Sequence, residues 1–195
     1  TLYELDSAGT VTSLGGGIQP GEGYVSMAEN GVSIQVVDGV NGFYYTPESL
    51  TYAQIADTDF ESAFTTTFIL SYFMHDWAGT NKFFSSDSAS VNSYDALFNS
   101  TADTQSDRVL ATFNFHQQLY VAGRKSIEIW QFVPGSSAFP WQRFPGASVQ
   151  VGIAGKFGCI VHMESIYFVG SDMLLYRLEG ANPVVVSDPA VAMEW

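Results

Sequence analysis

Two stretches of this chain, 106–133 (SDRVLATFNFHQQLYVAGRKSIEIWQFV) and 150–178 (QVGIAGKFGCIVHMESIYFVGSDMLLYRL), spell the same order of events. Each opens on an apolar stretch and breaks at polar residues, His116–Gln118 in one and His162–Glu164 in the other. Each then crosses an apolar segment closed by a small-residue turn, LYVAGRKS (119–126) or IYFVGSDM (166–173). A third apolar segment follows, Ile127–Val133 or Leu174–Leu178. Short apolar runs punctuated by tight turns predict antiparallel hairpins. A unit of three or four strands recurring every ~40–50 residues predicts propeller blades. The expected fold class is therefore all-β, a partial β-propeller of about four blades holding roughly 14–16 strands. The blades fall near 1–60, 61–105, 106–149 and 150–188. The chain opens on Thr1 inside a strand pattern, without Met, and reads as one propeller fragment of a longer protein, or a core trimmed by proteolysis.

The remaining segments fit the same grammar. Residues 1–14 predict a hairpin, Leu2–Leu5 and Thr10–Leu14 about a turn at Asp6–Gly9, supplying the outer strands of a blade. GGGIQPGEG (15–23) is a loop; without a G-K-[ST] ending it is not a phosphate cradle. Tyr24–Ala28, Val32–Val37, Gly42–Tyr45 and Leu50–Ile55 are expected strands. Thr65–Asp76 (TTTFILSYFMHD), β-branched and aromatic, predicts one buried strand, which AGTN (78–81) turns into KFFSSD (82–87). Residues 86–107 predict a long polar loop, within which YDALF (94–98) is a short helical turn or a strand. PGSSAFPWQRFPG (134–146) predicts a turn-rich crossing, Pro183–Ser187 a strand, and Asp188 the start of a further element, a helix. No segment sustains a helical period.

Charge narrows the function. Twenty acids oppose seven bases, for a net charge of −13, and no Lys or Arg precedes Lys82. Such a balance argues against ordinary nucleic-acid binding, which sets Lys and Arg against phosphates. It is compatible with solubility alone, or with a channel that DNA must traverse without sticking. Only 14% of residues are charged. That fits a surface covered by other subunits, or outer faces built of Ser, Thr and Gln. Cys159, the sole cysteine, excludes an intrachain disulfide and reads as a small buried hydrophobe within FGCIV. No apolar run approaches the ~18 residues of a membrane span.

No catalytic, cofactor or metal constellation emerges. His75 and Asp76 are adjacent, and strand neighbours point to opposite faces. His116 and His162 occupy equivalent hairpin breaks, which reflects turn chemistry rather than a shared site. Asp38, Asp76, Asp87 and Glu128 could in principle pair across the central axis as in propeller glycosidases, but in a chain with twenty carboxylates solvated or hydrogen-bonded turn acids are the better account of them. DTDFES (57–62) lacks the Gly and the distant Glu of a calcium loop. Asn99-Ser100-Thr101 fits a glycosylation sequon, with meaning only in a secretory pathway. The candidate residues are for protein interfaces. Trp141, Arg143 and Phe144 lie on a Pro/Gly-bounded loop, where Trp and Arg act as anchors, although Trp141 fits blade packing as well. Arg124 and Lys125, the only adjacent basic pair, either meet an acidic partner or keep a hairpin turn solvated.

Several of these segments resemble the packaged-DNA stabilisation protein of short-tailed phages, a family also described as tail accessory factor or tail hub/nozzle. The resemblance runs from about Thr65 to the end. It is carried by Trp77-Ala78-Gly79-Thr80, Phe83-Phe84-Ser85-Ser86-Asp87, Asp107-Arg108-Val109, Gln118–Val121 and Gly123–Phe132 with its Ser126-Ile127-Glu128 centre. Gly152-Ile153-Ala154-Gly155, Ile166–Gly170 and Met173–Leu178 complete it. The resemblance implies a non-enzymatic propeller-like body without cofactors, located in the virion tail and in the bacterial cytoplasm during assembly. It implies a homo-oligomeric ring that seals or extends the DNA exit channel below the portal adaptor. Tailspike or tail needle proteins would be its further partners, and DNA would pass through without specific binding. The family's chains are longer, so this piece is expected to be a monomer or weak oligomer. A carbohydrate-binding or glycosidase-like propeller module is the alternative from a different class.

Overall fold

The computed structural model describes residues 1–19, 24–105, 107–135 and 139–188. Among them are eighteen β-strands and one 3-10 turn, Pro47–Ser49. β1 (Leu2–Leu5) and β2 (Val11–Gly15) form a hairpin. Four four-stranded antiparallel sheets follow, each a meander of consecutive strands. The first holds β3 (Ser26–Glu29), β4 (Ile34–Val37), β5 (Gly42–Thr46) and β6 (Thr51–Gln54). The second holds β7 (Thr66–Ile69), β8 (Tyr72–Asp76), β9 (Lys82–Ser86) and β10 (Tyr94–Thr101). β11 (Val109–Phe115), β12 (Gln118–Gly123), β13 (Ile127–Phe132) and β14 (Trp141–Val149) build the third. β15 (Cys159–His162), β16 (Ser165–Val169), β17 (Leu175–Glu179) and β18 (Asn182–Val185) build the fourth.

These sheets are blades. The first strand of one blade packs against the first strand of the next, β3 on β7 and β7 on β11. Side chains stitch these inner strands together: the Thr66 amide donates to Ser26 Oγ at 3.1 Å, and the Thr112 amide to Thr65 Oγ1 at 3.0 Å. The core divides accordingly into one apolar cluster per blade interface. Val37, Ile55, Ala63, Phe84 and Tyr94 fill the first interface. Met74 and Phe83 meet Val109, Leu119, Val121, Trp130 and Trp141 in the second. Ala111, Ile127, Ile129 and Val149 meet Ile166, Phe168, Tyr176 and Leu178 in the third. Radially arranged sheets with a separate core between each pair constitute a β-propeller. The hairpin β1–β2 lies on the opposite face of the first blade, where Tyr52 donates to the Gly16 carbonyl at 2.9 Å and Tyr45 to Glu4 at 3.2 Å. Residues 1–60 therefore contain two separate sheets.

Every crossing between blades is held by two turns, that of the blade it leaves and that of the blade it enters. The Gly39 amide donates to the Ala63 carbonyl and the Ala78 amide to the Ser62 carbonyl, both at 2.8 Å. One crossing later the Val109 amide donates to the Thr80 carbonyl at 2.9 Å, while the Lys125 amide donates to Asp107 Oδ2 at 2.6 Å. At the last crossing the Ile153 amide donates to the Gly123 carbonyl and the Ser171 amide to the Gly152 carbonyl. The approach at Gly152 is so close that a Cβ there would overlap the Arg124 carbonyl, so the position requires glycine.

Several sequence expectations change. Thr65–Asp76 is not one strand: Ile69 pairs with Tyr72, and Leu70 and Ser71 (φ 46° and 76°) form the two-residue turn between β7 and β8. Two-residue hairpins favour turns with positive φ at both central residues, because their twist matches the strands. His116-Gln117 (49°, 60°) and Met163-Glu164 (43°, 58°) make the same turn in the next two blades. None of these pairs contains glycine, and the first has no polar break, so nothing in composition marks it. His116 is thus equivalent to Met163, while His162 ends β15 opposite Ser165, one residue out of step. Within the expected polar loop 86–107, Tyr94–Thr101 is a strand, drawn to β9 with a register irregularity between Tyr94 and Asn99. The crossing 134–146 gives way at Trp141 to β14. The helix expected from Asp188 lies almost wholly outside the described residues. No helix among the described residues is long and apolar enough to cross a membrane.

Candidate functional site

The residues WQRF separate in the structure. Trp141 is on β14, not a loop, and is only 2% exposed; its ring packs edge-on against Tyr72 at 6.4 Å and Phe132 at 5.6 Å. It is a blade-packing residue in this chain. Arg143 turns outward but is engaged within its own surroundings, donating to Asp103 Oδ1 at 3.0 Å and Thr104 Oγ1 at 3.1 Å, with Glu128 3.9 Å away. Glu128 is buried, and its oxygens accept from the Thr104 amide at 2.6 Å and Trp130 Nε1 at 2.9 Å. Phe144 is 38% exposed and lines, with Arg143 and Gly146, an open depression of about 470 Å³.

The four carboxylates singled out for pairing are all dispersed. Asp38 caps its own turn through the Val40 and Asn41 amides and accepts from the Gln19 amide. Asp87 accepts from Ser93 Oγ at 2.6 Å. Asp76 Oδ1 takes the Phe64 amide, the Thr65 amide and Thr65 Oγ1, whereas buried Oδ2 has no partner among the described residues. Burial raises Asp76 to about 6, against the lowering effect of the Thr65 and Phe64 bonds. Its neighbour His75 faces the other way, 3.1 Å from the Tyr94 hydroxyl and stacked on Phe84 at 4.8 Å. Burial pushes His75 down to about 3, outweighing the opposing Thr65 backbone, so it is neutral at physiological pH. The two are structural groups on opposite faces of β8 rather than a dyad. His116 meets Glu164 at 2.6 Å on the exposed edge between the third and fourth blades. Burial pushes the Cys159 thiol up to about 12, keeping it protonated and unreactive. Among the described residues no three His, Cys, Asp or Glu side chains converge as a metal site.

Convergence occurs instead at the end where the crossings enter the inner strands. Tyr24, Phe64 and Phe157 each stand two residues ahead of an inner strand, β3, β7 and β15. Tyr24 and Phe157, from the first and last blades, come together across this mouth with ring centroids 5.6 Å apart. Lys156 lies over the Phe64 ring, 2.9 Å from its centroid. Arg124, on the β12–β13 turn, and Arg108, immediately ahead of β11, complete the rim. Two depressions of about 600 Å³ share Leu110, Arg124 and Lys156 and so form one continuous mouth. Lys125 sits beside Arg124 with its side chain exposed. Sequence reasoning singled out Arg124 and Lys125 as candidates for a protein interface and passed over Tyr24, Phe64, Arg108, Lys156 and Phe157. The available signal was an aromatic residue just ahead of the first strand of three blades, legible only once the blades are aligned.

No protein in the curated set matches this chain. Solved structures do, at low identity. The extracellular domain of a hybrid two component system, BT4673, from B. thetaiotaomicron aligns with TM-score 0.54 and 12% identity, over 88% of this chain and 24% of that one. The computationally designed Ika4 protein aligns with TM-score 0.52 and 9% identity, over 83% of this chain and 94% of the design. BamB from Moraxella catarrhalis aligns with TM-score 0.49 and 12% identity, over 79% of this chain. The chain spans 45% of the BamB chain, less than half its length. Such likenesses concern the fold alone. A family model, described as bacteriophage P22 Gp10, beta-propeller, matches residues 1–176. The repeating four-stranded blades and this match lead to one conclusion: the chain belongs to the phage stabilisation family of P22 Gp10-type β-propellers, structural proteins of the virion.

Proposed function

We propose that this propeller is a component of the tail hub or nozzle, sealing or extending the DNA exit channel below the portal and carrying tail fibres or spikes. The observation that supports this reading is the family match over residues 1–176. The architecture suits the role. Blade cores held by sheet-on-sheet burial make a rigid body, and turns and outer strands remain available for neighbours. The chain's excess of acids repels phosphates at most of its surface, favouring passage of DNA over capture. In this reading the intact protein forms a homo-oligomeric ring, contacts the portal adaptor and a tailspike or needle protein, and assembles in the bacterial cytoplasm.

The test is co-elution in size-exclusion chromatography with the portal adaptor and the tailspike or needle protein of the same phage. Co-elution with either partner is the expected result. Failure with both, together with a specific glycan-array signal or glycoside hydrolysis, would overturn the hub reading in favour of a carbohydrate-engaging propeller.

A further inference from the structure

The seven bases of this chain are not scattered. Lys82 lies 4.9 Å from the Trp77 ring, Arg143 bonds Asp103, and Arg177 bonds Glu179, all three away from the axial mouth. Arg108, Arg124 and Lys156, the last lying over the Phe64 ring, line the axial mouth, and Lys125 sits beside Arg124; Asp107, whose Oδ2 accepts from the Lys125 amide, stands next to Arg108 at the rim. Neither Arg108 nor Arg124 has an ion-pair partner among the described residues, in a chain where acids outnumber bases twenty to seven. A cationic concavity within an otherwise acidic body focuses the local field and concentrates anions there.

We propose that this mouth binds a phosphate-bearing ligand with a stackable base: a nucleotide, or the end of a single nucleic-acid strand. Guanidinium forks match phosphate oxygens in a bidentate geometry. The exposed rings of Tyr24 and Phe157 offer π-faces of the kind on which unpaired bases stack. A mouth assembled from depressions of about 600 Å³ admits a group of nucleotide size and excludes a duplex. An acidic peptide would satisfy the arginines but leave the two rings without a role. The proposal rests on the geometry of the mouth and stands or falls independently of the tail-hub reading.

Binding of labelled oligo-dT by fluorescence anisotropy, and of dTMP and inorganic phosphate by calorimetry, tests it at low salt on the 195-residue chain. Oligo-dT and dTMP are expected to bind at least about tenfold tighter than phosphate, given the base-stacking contribution. Replacing both exposed arginines (Arg108→Ala with Arg124→Ala) should flatten the salt dependence by a log–log slope of about 1.4, roughly 0.7 for each lost phosphate contact. Phe157→Ala should weaken oligo-dT about tenfold and leave phosphate unchanged. Lys82→Ala, away from the mouth, should change nothing. Tighter binding of oligo-dT than of dTMP assigns a strand end, and equal binding assigns a free nucleotide. Absence of binding by both, a double arginine variant that behaves as wild type, or displacement of oligo-dT by an acidic peptide at equal concentration would overturn the proposal.

Discussion

The first and third blade interfaces solve one packing problem with opposite chemistry. Between the first and second blades, buried Gln35 donates to the Tyr94 hydroxyl and the Val91 carbonyl, both at 2.7 Å, and accepts from Thr66 Oγ1 at 3.1 Å. His75 completes the network from its pocket against Phe84 and Phe60. Between the third and fourth blades the buried surface is almost wholly aliphatic and aromatic, from Ile127 and Val149 to Phe168 and Leu178. Their polar link, His116–Glu164, is at the exposed rim. A buried polar network has to be satisfied member by member, so it specifies one register, whereas an apolar interface of similar volume can repack. The two interfaces thus differ in how they fail.

The largest effect belongs to the apolar side. Ile127→Asp places an unpaired carboxylate at a fully buried position, a penalty on the order of several kcal/mol. The cooperative thermal transition should be lost, and an unchanged melt would show that β13 is not core. Phe168→Ala, 1% exposed in the same cluster, should cost about 3–5 kcal/mol in denaturant unfolding. Gln35→Leu is next: stranding the Val91 carbonyl and the Thr66 and Tyr94 hydroxyls should cost about 1–3 kcal/mol. If Gln35→Leu proved neutral, the polar network would be an accessory to packing and the contrast would collapse.

Acid titration sharpens the comparison further, because β8 carries two buried titrating groups with opposite slopes, His75 facing the polar first interface and Asp76 on the opposite face with Phe83. His75, lowered from 6.5 to about 3, binds fewer protons folded than unfolded, so its contribution is present above 6.5 and is lost as pH falls. Asp76, raised from 3.8 to about 6, binds more protons folded, so stability falls as pH rises between those values. From pH 6 to 4 the two slopes oppose each other. Asp76→Asn should therefore expose the His75 slope, about 1.4 kcal/mol per pH unit, and His75→Phe should remove it. Denaturant midpoints at pH 7, 6, 5 and 4 decide the point; parallel curves for wild type and Asp76→Asn would refute the opposing titrations. The smallest effect is at the rim, where Glu164→Gln should shift stability by no more than about 0.5 kcal/mol and less in high salt.

How much was legible varied with the kind of interaction involved. Turns written in Gly, Asp and polar residues, at 38–42 and 123–126, were readable because those residues have intrinsic backbone preferences. The Leu70–Ser71 turn was not, since pairing of Ile69 with Tyr72 imposes positive φ on residues that do not ask for it. Tyr94–Thr101 looked like a loop because its polar side chains gain strand geometry only from the adjacent β9 edge. Trp141 and Arg143 looked like a common patch and do share a face of β14, opposite Phe132 and Trp130, yet the Trp141 ring is buried against Tyr72 and Phe132 while the exposed Arg143 reaches Asp103.

By itself the sequence determined the all-β class, the blade-sized repeat, the acidic balance and the hairpin identity of residues 106–178, because period, turn chemistry and charge are local properties of the chain. The tertiary structure decided which residues share a mouth, which interface is polar, and which histidine and aspartate are held away from their ordinary protonation. Those features depend on residues from different strands and blades, as far apart as Tyr24 and Phe157, being carried to one place by the turns and crossings, beyond the reach of a local pattern.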